Sequence, residues 1–230
     1  MSSRTIRFVI YGLVGLGLFI WTQTRETPVE EIAETPAPEA VEQVEDAPAP
    51  EAAPAETTDV AVAEPNYGLE IDIAGQANGT IVIDLFEDVA PLHTAQIVTL
   101  ASEGQYDGVV FHRVIEGFMA QTGDVRFGKG DDLSRAGMGG SELPNLQAEF
   151  SDKPFARGIV GMARSQSPNS ANSQFFIMFD QGDFLNGQYT VIGEVTAGMD
   201  VVDQIKRGEG PNGAMIGAAD EMVAVRVTQN

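Results

Sequence analysis

Phe111-His112-Arg113-Val114-Ile115-Glu116-Gly117-Phe118-Met119-Ala120-Gln121-Thr122-Gly123-Asp124 is the stretch that decides how this chain folds. Its fourteen residues place one fixed cation, one amide and several large apolar side chains close together. Val109 to Val114 read as a strand with alternating sides, Gly117 supplies a turn, and Phe118 to Thr122 run back alongside. In such a hairpin Arg113 and Gln121 share one face. The pattern by itself suits a core strand pair with a solvated arginine as well as it suits a site.

The residues around this hairpin extend the β pattern. Leu69 to Ile73 alternate, Asn78-Gly79 gives a turn signal, and Thr80 to Phe86 follow, which predicts a second hairpin. Asn78-Gly79-Thr80 has the form of a glycosylation sequon, and in this position it is read as turn chemistry. Pro91 opens a helix running to Ser102, with Leu92, Ala95, Val98 and Thr99 on its apolar stripe and His93 on the surface. Gly128 to Gly140 are glycine-rich, but no phosphate-loop ending and no following helix pattern accompany them, so they form a long surface loop. Glu149-Phe150 and Phe155 anchor its return. Strands are expected over 158–163, 173–179, 189–195 and 221–228, and a second helix over Gly198 to Arg207. This count predicts a mainly β fold, an antiparallel barrel capped at its ends by two helices.

Charge and composition divide the chain. Residues 22–65 carry twelve acids against Arg25 alone, a net of −11, and residues 66–230 carry a net of −12. A surface this acidic excludes nucleic acid as a partner, because phosphate binding depends on clustered Lys and Arg. With no cysteine and only His93 and His112, thiolate and histidine-rich metal sites are excluded. Asp131-Asp132 is a solvated loop pair, and no metal or cofactor is expected.

Three segments follow from these shifts: 1–25, 26–66 and 67–230. Arg4 and Arg7 precede a fourteen-residue uncharged run, Phe8 to Trp21. At about 1.5 Å per residue it spans about 21 Å, short of the bilayer core of about 30 Å, so a crossing borrows Thr22 to Thr24. Its length suits a signal peptide equally well. The bulky, polar residues Trp21 to Arg25 offer no cleavage pattern, which favours an uncleaved anchor in the inner membrane. The positive flank keeps the N-terminus cytoplasmic and exports the rest to the periplasm; cleavage would leave a soluble periplasmic protein. Residues 26–66 repeat Pro, Ala, Glu and Val and form a disordered or partly polyproline spacer.

Four pieces occur in one order: the 111–124 stretch, Gly161-Met162-Ala163, Asn172-Ser173-Gln174-Phe175-Phe176-Ile177 and Phe184-Leu185-Asn186-Gly187. Together they resemble the cyclophilin family of peptidyl-prolyl cis-trans isomerases over roughly residues 68–229. The resemblance implies an eight-stranded antiparallel β-barrel closed by two helices, and an isomerase acting on X-Pro bonds of unfolded or flexible polypeptides. It implies that Arg113 is catalytic and that Phe118, Met119, Phe176 and Leu185 line a pocket for the proline ring. Gln121 and the backbone at Arg164 would hydrogen-bond the substrate chain, with Ala163 and Gln174 nearby.

Three positions depart from the family pattern. Tyr189 stands where many members have histidine, Phe184 where tight cyclosporin binders have tryptophan, and Arg164 where asparagine is usual. These look like the bacterial branch and bear on drug sensitivity more than on activity. The expected protein is a monomer that needs no nucleophile, base or metal, since the reaction is rotation about one bond. The competing reading is a proline-binding chaperone module with little turnover.

Overall fold

A computed structural model describes residues 66–229. The membrane segment and the spacer expected over 1–65 lie outside the described residues. Among the described residues no helix is long and apolar enough to cross a membrane, and no cluster of His, Asp and Glu could hold a metal ion.

The first hairpin forms as the alternation predicts. Strand β1 (Tyr67–Ala74) pairs antiparallel with β2 (Gly79–Leu85), and Leu69 faces Ile83 while Ile71 faces Ile81. These side chains all point into the core, where each is no more than 1% exposed. The turn is closed by Asn78 itself, whose Nδ2 donates to Gly75 O at 2.9 Å.

Helix α1 (Pro91–Ser102) follows, with proline in its first turn. Its buried face is not the expected one. His93, Thr94, Gln96, Ile97, Leu100 and Ala101 face the core, whereas Leu92 is 55% exposed and Ala95 and Thr99 are also outside. Val98 is only half-buried. The polar members of the buried face each make a hydrogen bond. Thr94 Oγ1 donates to Ala90 O at 2.9 Å, and Gln96 Nε2 donates to Asn172 O at 3.0 Å. His93 is therefore a core residue, a correction to its surface placement. Its Nδ1 lies 2.6 Å from Glu149 Oε2, and the Glu149 carboxylate also accepts the Leu92 and His93 amides. A carboxylate at this end satisfies orphan N–H groups and complements the helix dipole. Glu149 and fully buried Phe155 do anchor the long loop, while Phe150 is 46% exposed and does not.

The remaining strands are β3 (Val109–Val110), β4 (Arg113–Ile115), β5 (Met119–Thr122), β6 (Ile159–Met162), β7 (Phe175–Met178), β8 (Val191–Ala197) and β9 (Glu221–Gln229). They form one curled antiparallel sheet in the order β3-β9-β1-β2-β8-β6-β7-β5-β4. Nine strands stand where eight were expected, because the run 109–115 breaks at Phe111-His112 into two short pieces. Those pieces are the two outermost strands of the sheet, so the two residues between them join one edge to the other.

Helix α2 spans only Met199–Gln204. The expected extension to Arg207 fails because Ile205 turns to an extended ψ of 128°. Buried Ile205 and a 2.6 Å bond from the Lys206 amide to Asp220 Oδ2 draw the chain off the helical path.

Candidate active site

The hairpin β4–β5 sets Arg113 directly opposite Gln121. Cross-strand partners project to the same face, so the guanidinium and the amide meet above the sheet. Arg113 Nη1 donates to Gln121 Oε1 at 3.1 Å. Its Nε donates to Asn212 O at 3.0 Å, and its Nη2 donates to Asn212 Oδ1 at 3.0 Å. Three of the five guanidinium N–H groups are thus held, and two remain to meet a ligand. Partial burial draws the Arg113 pKa below its usual value, partly offset by Tyr189. A guanidinium is so strongly basic that it stays charged near neutral pH even so.

Asn212 was not legible from the sequence. It lies in a short 3-10 turn, Pro211–Gly213, and is the one non-glycine residue with positive φ, 56°, among those described. Asparagine tolerates this left-handed conformation better than most residues. The conformation lets both its carbonyl and its side chain reach the same guanidinium.

Arg113 borders a cleft of about 370 Å³. Its apolar lining comes from Phe118, Met119, Phe176 and Leu185, with Phe184 and Tyr189 beside them. Gln121, Ala163, Arg164 and Gln188 complete the lining. Met119, Phe176 and Leu185 are nearly buried and form a floor, whereas Phe184 is 64% exposed and forms a rim. The floor is rigid: Phe176 stacks on Phe155 at 5.7 Å and meets the Tyr189 ring edge-on at 5.9 Å. Gly161 on β6 makes room for this stack, since a Cβ there would lie 2.5 Å from Phe155 Cε1 and 2.6 Å from Phe176 Cζ. Phe118 tilts against Phe184 at 5.3 Å.

Ten of the eleven residues expected at the site are therefore gathered around one cleft. The eleventh, Gln174, lines an adjoining cleft of about 400 Å³. It is connected to the first by Gln121 Nε2, which donates to Gln174 Oε1 at 2.9 Å. Gln174 Nε2 in turn donates to the carbonyls of Gly137 and Gly139. The amides of the same two glycines donate to Asp124 Oδ2, and Asp124 Oδ1 accepts from Arg126 and Phe127. One buried carboxylate thus shapes the glycine-rich loop. Gln188 is a lining residue that the sequence did not single out.

His112, next to Arg113, points away from this chemistry and is buried. Burial lowers its pKa below 6.5, against the raising effects of Asp124, Gln174 and Val110. It packs beneath the loop, where a Cβ on Gly137 would lie 3.0 Å from its Cδ2.

A small apolar cleft bordered by a fixed cation can grip a ring and offer hydrogen bonds to a neighbouring amide. Comparison with known proteins agrees. The family model described as cyclophilin type peptidyl-prolyl cis-trans isomerase/CLD matches residues 69–227. A probable peptidyl-prolyl cis-trans isomerase of Brucella suis biovar 1 is 65% identical over 142 residues, covering 60% of this chain and 72% of that protein. Peptidyl-prolyl cis-trans isomerase B of Escherichia coli is 39% identical over 137 residues, covering 56% and 79%. Among solved structures, a cyclophilin from Hirschia baltica superposes with a TM-score of 0.56 at 25% identity, covering 70% of this chain and 76% of its own. A cyclophilin type isomerase from Cryptosporidium parvum shares the fold, with a TM-score of 0.61 at 23% identity over 73% of this chain and 99% of its own.

Proposed function

The chain belongs to the cyclophilin-type peptidyl-prolyl cis-trans isomerase family and is an isomerase of proline-containing peptides, and on that premise we propose that Arg113 carries the catalysis. Rotation about an X-Pro bond faces a barrier of about 18–20 kcal/mol, because resonance gives the C–N bond double-bond character. As the amide twists, the nitrogen lone pair is freed from the carbonyl and becomes a hydrogen-bond acceptor. A cation held with unused N–H groups at the edge of a ring-sized cleft meets that lone pair only in the twisted state. Such an interaction lowers the barrier without deepening the ground state. About 2 kcal/mol of this selective stabilisation gives about 30-fold in rate. The floor of Met119, Phe176 and Leu185 holds the proline ring, Gln121 and the backbone at Arg164 hold the flanking amides, and rotation is confined to one bond.

The observation that carries this reading is the three-point fixation of Arg113 by Gln121 and Asn212 beside the apolar floor. The test is the exchange rate of an Ala-Pro peptide, measured by NMR with the full-length chain and with Arg113→Ala. Arg113→Ala is expected to lose at least 30-fold, the equivalent of about 2 kcal/mol, while unfolding at an unchanged temperature. A folded variant that keeps most of its turnover removes Arg113 from the role.

The same reading places the enzyme outside the cytoplasm, acting on exported chains as they fold. Its support is sequence alone: the uncharged run Phe8 to Trp21 behind Arg4 and Arg7, and the acidic spacer after it. Residues 1–25 would anchor a monomeric isomerase domain on the periplasmic face of the inner membrane. Intact mass and membrane fractionation of the native protein test this, and a full-length chain found only in the soluble cytoplasmic fraction overturns it.

A further inference from the structure

The seven arginines among residues 66–229 fall into two groups. Arg157 pairs with Asp203 at 2.8 Å, Arg207 with Glu116 at 2.5 Å, and Arg226 with Glu70 and Asp72 at 2.6 and 2.8 Å. The other four, Arg113, Arg126, Arg135 and Arg164, make no ion pair among the described residues. Three of these four, Arg113, Arg126 and Arg164, line the two clefts. Arg135 interacts electrostatically with the nearby Asp132 carboxylate, whereas the contacts of Arg113, Arg126 and Arg164 are with neutral groups. Arg164 donates to the carbonyls of Gln188, Ser165 and Gln166 and lies 4.4 Å over the Tyr189 ring. Arg126 and Arg135 lie 5.3 and 3.7 Å over the ring of Phe127. Carbonyls and rings orient a guanidinium without cancelling its charge.

Arg126 and Arg164 both line the second cleft, and Arg164 lines the first as well. The two clefts share Gln121, Ala163 and Arg164, and no aspartate or glutamate lines either one. Asp124 lies beneath, fully buried and held by four backbone amides, and its single charge leaves the lining arginines Arg113, Arg126 and Arg164 in excess. In a chain of net charge −21, this is a local reversal of sign. Charge left uncompensated beside a binding cleft is an electrostatic preference for the opposite charge in the ligand.

We propose that the second cleft receives an acidic side chain of the substrate, within three residues of the proline seated in the first, so that the enzyme favours X-Pro bonds flanked by Asp or Glu. Adjacent backbone positions are about 3.3–3.6 Å apart when extended, which suits two clefts that share a wall. This rests on the peptide occupying the Arg113 cleft.

The test compares pairs of X-Pro peptides that differ only by Glu or Gln at one position, taken in turn over the three residues on each side of proline. The full-length chain is used at about 0.15 M ionic strength, where a Debye length of about 8 Å suppresses repulsion from the distant acidic surface. At one position the Glu peptide is expected to have a kcat/KM about threefold above its Gln twin, the size of a partly exposed ion pair. The ratio should fall towards one in Arg126→Gln, persist in Arg126→Lys, and shrink in about 1 M salt, where the Debye length is about 3 Å. A ratio of one or below at every position, or a ratio unchanged in Arg126→Gln, overturns the proposal. Turnover of the Gln peptides reports separately on the isomerase reading, so the two can fail independently.

Discussion

Arg113 and Asn212 are joined by two hydrogen bonds of 3.0 Å, one to the Asn212 backbone carbonyl and one to its side-chain oxygen. A turn close to the last strand therefore fixes the orientation of a side chain on β4. Replacing Asn212 by glycine preserves the positive φ and the carbonyl while removing only the side-chain acceptor. As a positioning residue, Asn212 should affect kcat and not KM. Asn212→Gly is expected to lower kcat by about three- to tenfold, the worth of one ordinary, partly exposed hydrogen bond of about 1 kcal/mol, with an unchanged unfolding temperature. An equal loss in KM, or no loss, would remove it from the positioning role.

Arg113→Lys keeps the charge and gives up the planar fork. Lysine offers one point charge where Arg113 uses Nε, Nη1 and Nη2 in three directions. A drop in kcat/KM of about tenfold or more is expected, with circular dichroism unchanged. Wild-type turnover in this variant would mean that charge alone suffices.

Phe176 belongs to the floor of the cleft and to the packing beneath it. Truncation to alanine removes the stacked contact with Phe155 and the edge contact with Tyr189. A loss of about 3–5 kcal/mol in stability is expected, together with a higher KM. Denaturant titration should be run first so that turnover is compared at equal fractions folded; a KM that stays at the wild-type value would place the proline ring elsewhere.

Gly161→Ala tests the floor from the opposite side. The new methyl would sit 2.5 Å from Phe155 and 2.6 Å from Phe176, so both rings must move. The expected stability loss is about 1–3 kcal/mol, and KM rises as Phe176 is driven into the cleft. A crystal structure of the variant with both rings in place would contradict this account.

His112 gives stability a pH dependence. Burial lowers its pKa below 6.5 in the folded state, so on acidification the unfolded chain takes up the proton first. Stability is therefore full above about pH 6.5 and falls as pH drops below it. Asp72 and Asp203, lowered from 3.8 by hydrogen bonds from Arg226 and Arg157, act only at more acidic pH. Thermal melts between pH 7.5 and 5 should show a falling midpoint that flattens in His112→Gln, and identical slopes in both proteins would exclude the histidine.

Period-2 alternation made the strands legible from sequence, because a residue's face in a sheet follows from its number. The cleft was legible only through the family resemblance, whose pieces are short and contiguous, Phe118-Met119 at the start of one strand and Phe184-Leu185 on one turn. The helices were less so. On α1 the polar side chains of His93, Thr94 and Gln96 face inward, Thr94 bonded within its own turn and His93 and Gln96 to partners distant in sequence. Hydrophobic periodicity carries no record of such partners. Asn212 was hidden for the same reason: its role depends on a residue 99 positions away.

The break at Phe111-His112 has a consequence for biosynthesis. Val109 and Val110 pair with Met222 and Glu221, while Arg113, three residues further on, also depends on Asn212. A nascent chain that has emerged only as far as β8 already contains every apolar wall of the cleft and the guanidinium itself. It has neither the strand that closes the sheet nor the turn that aims the arginine. Contacts so far apart in sequence form late. Val109 and Val110 thus gain their partner strand, and the Arg113 guanidinium its Asn212 acceptors, only after translation has passed residue 222.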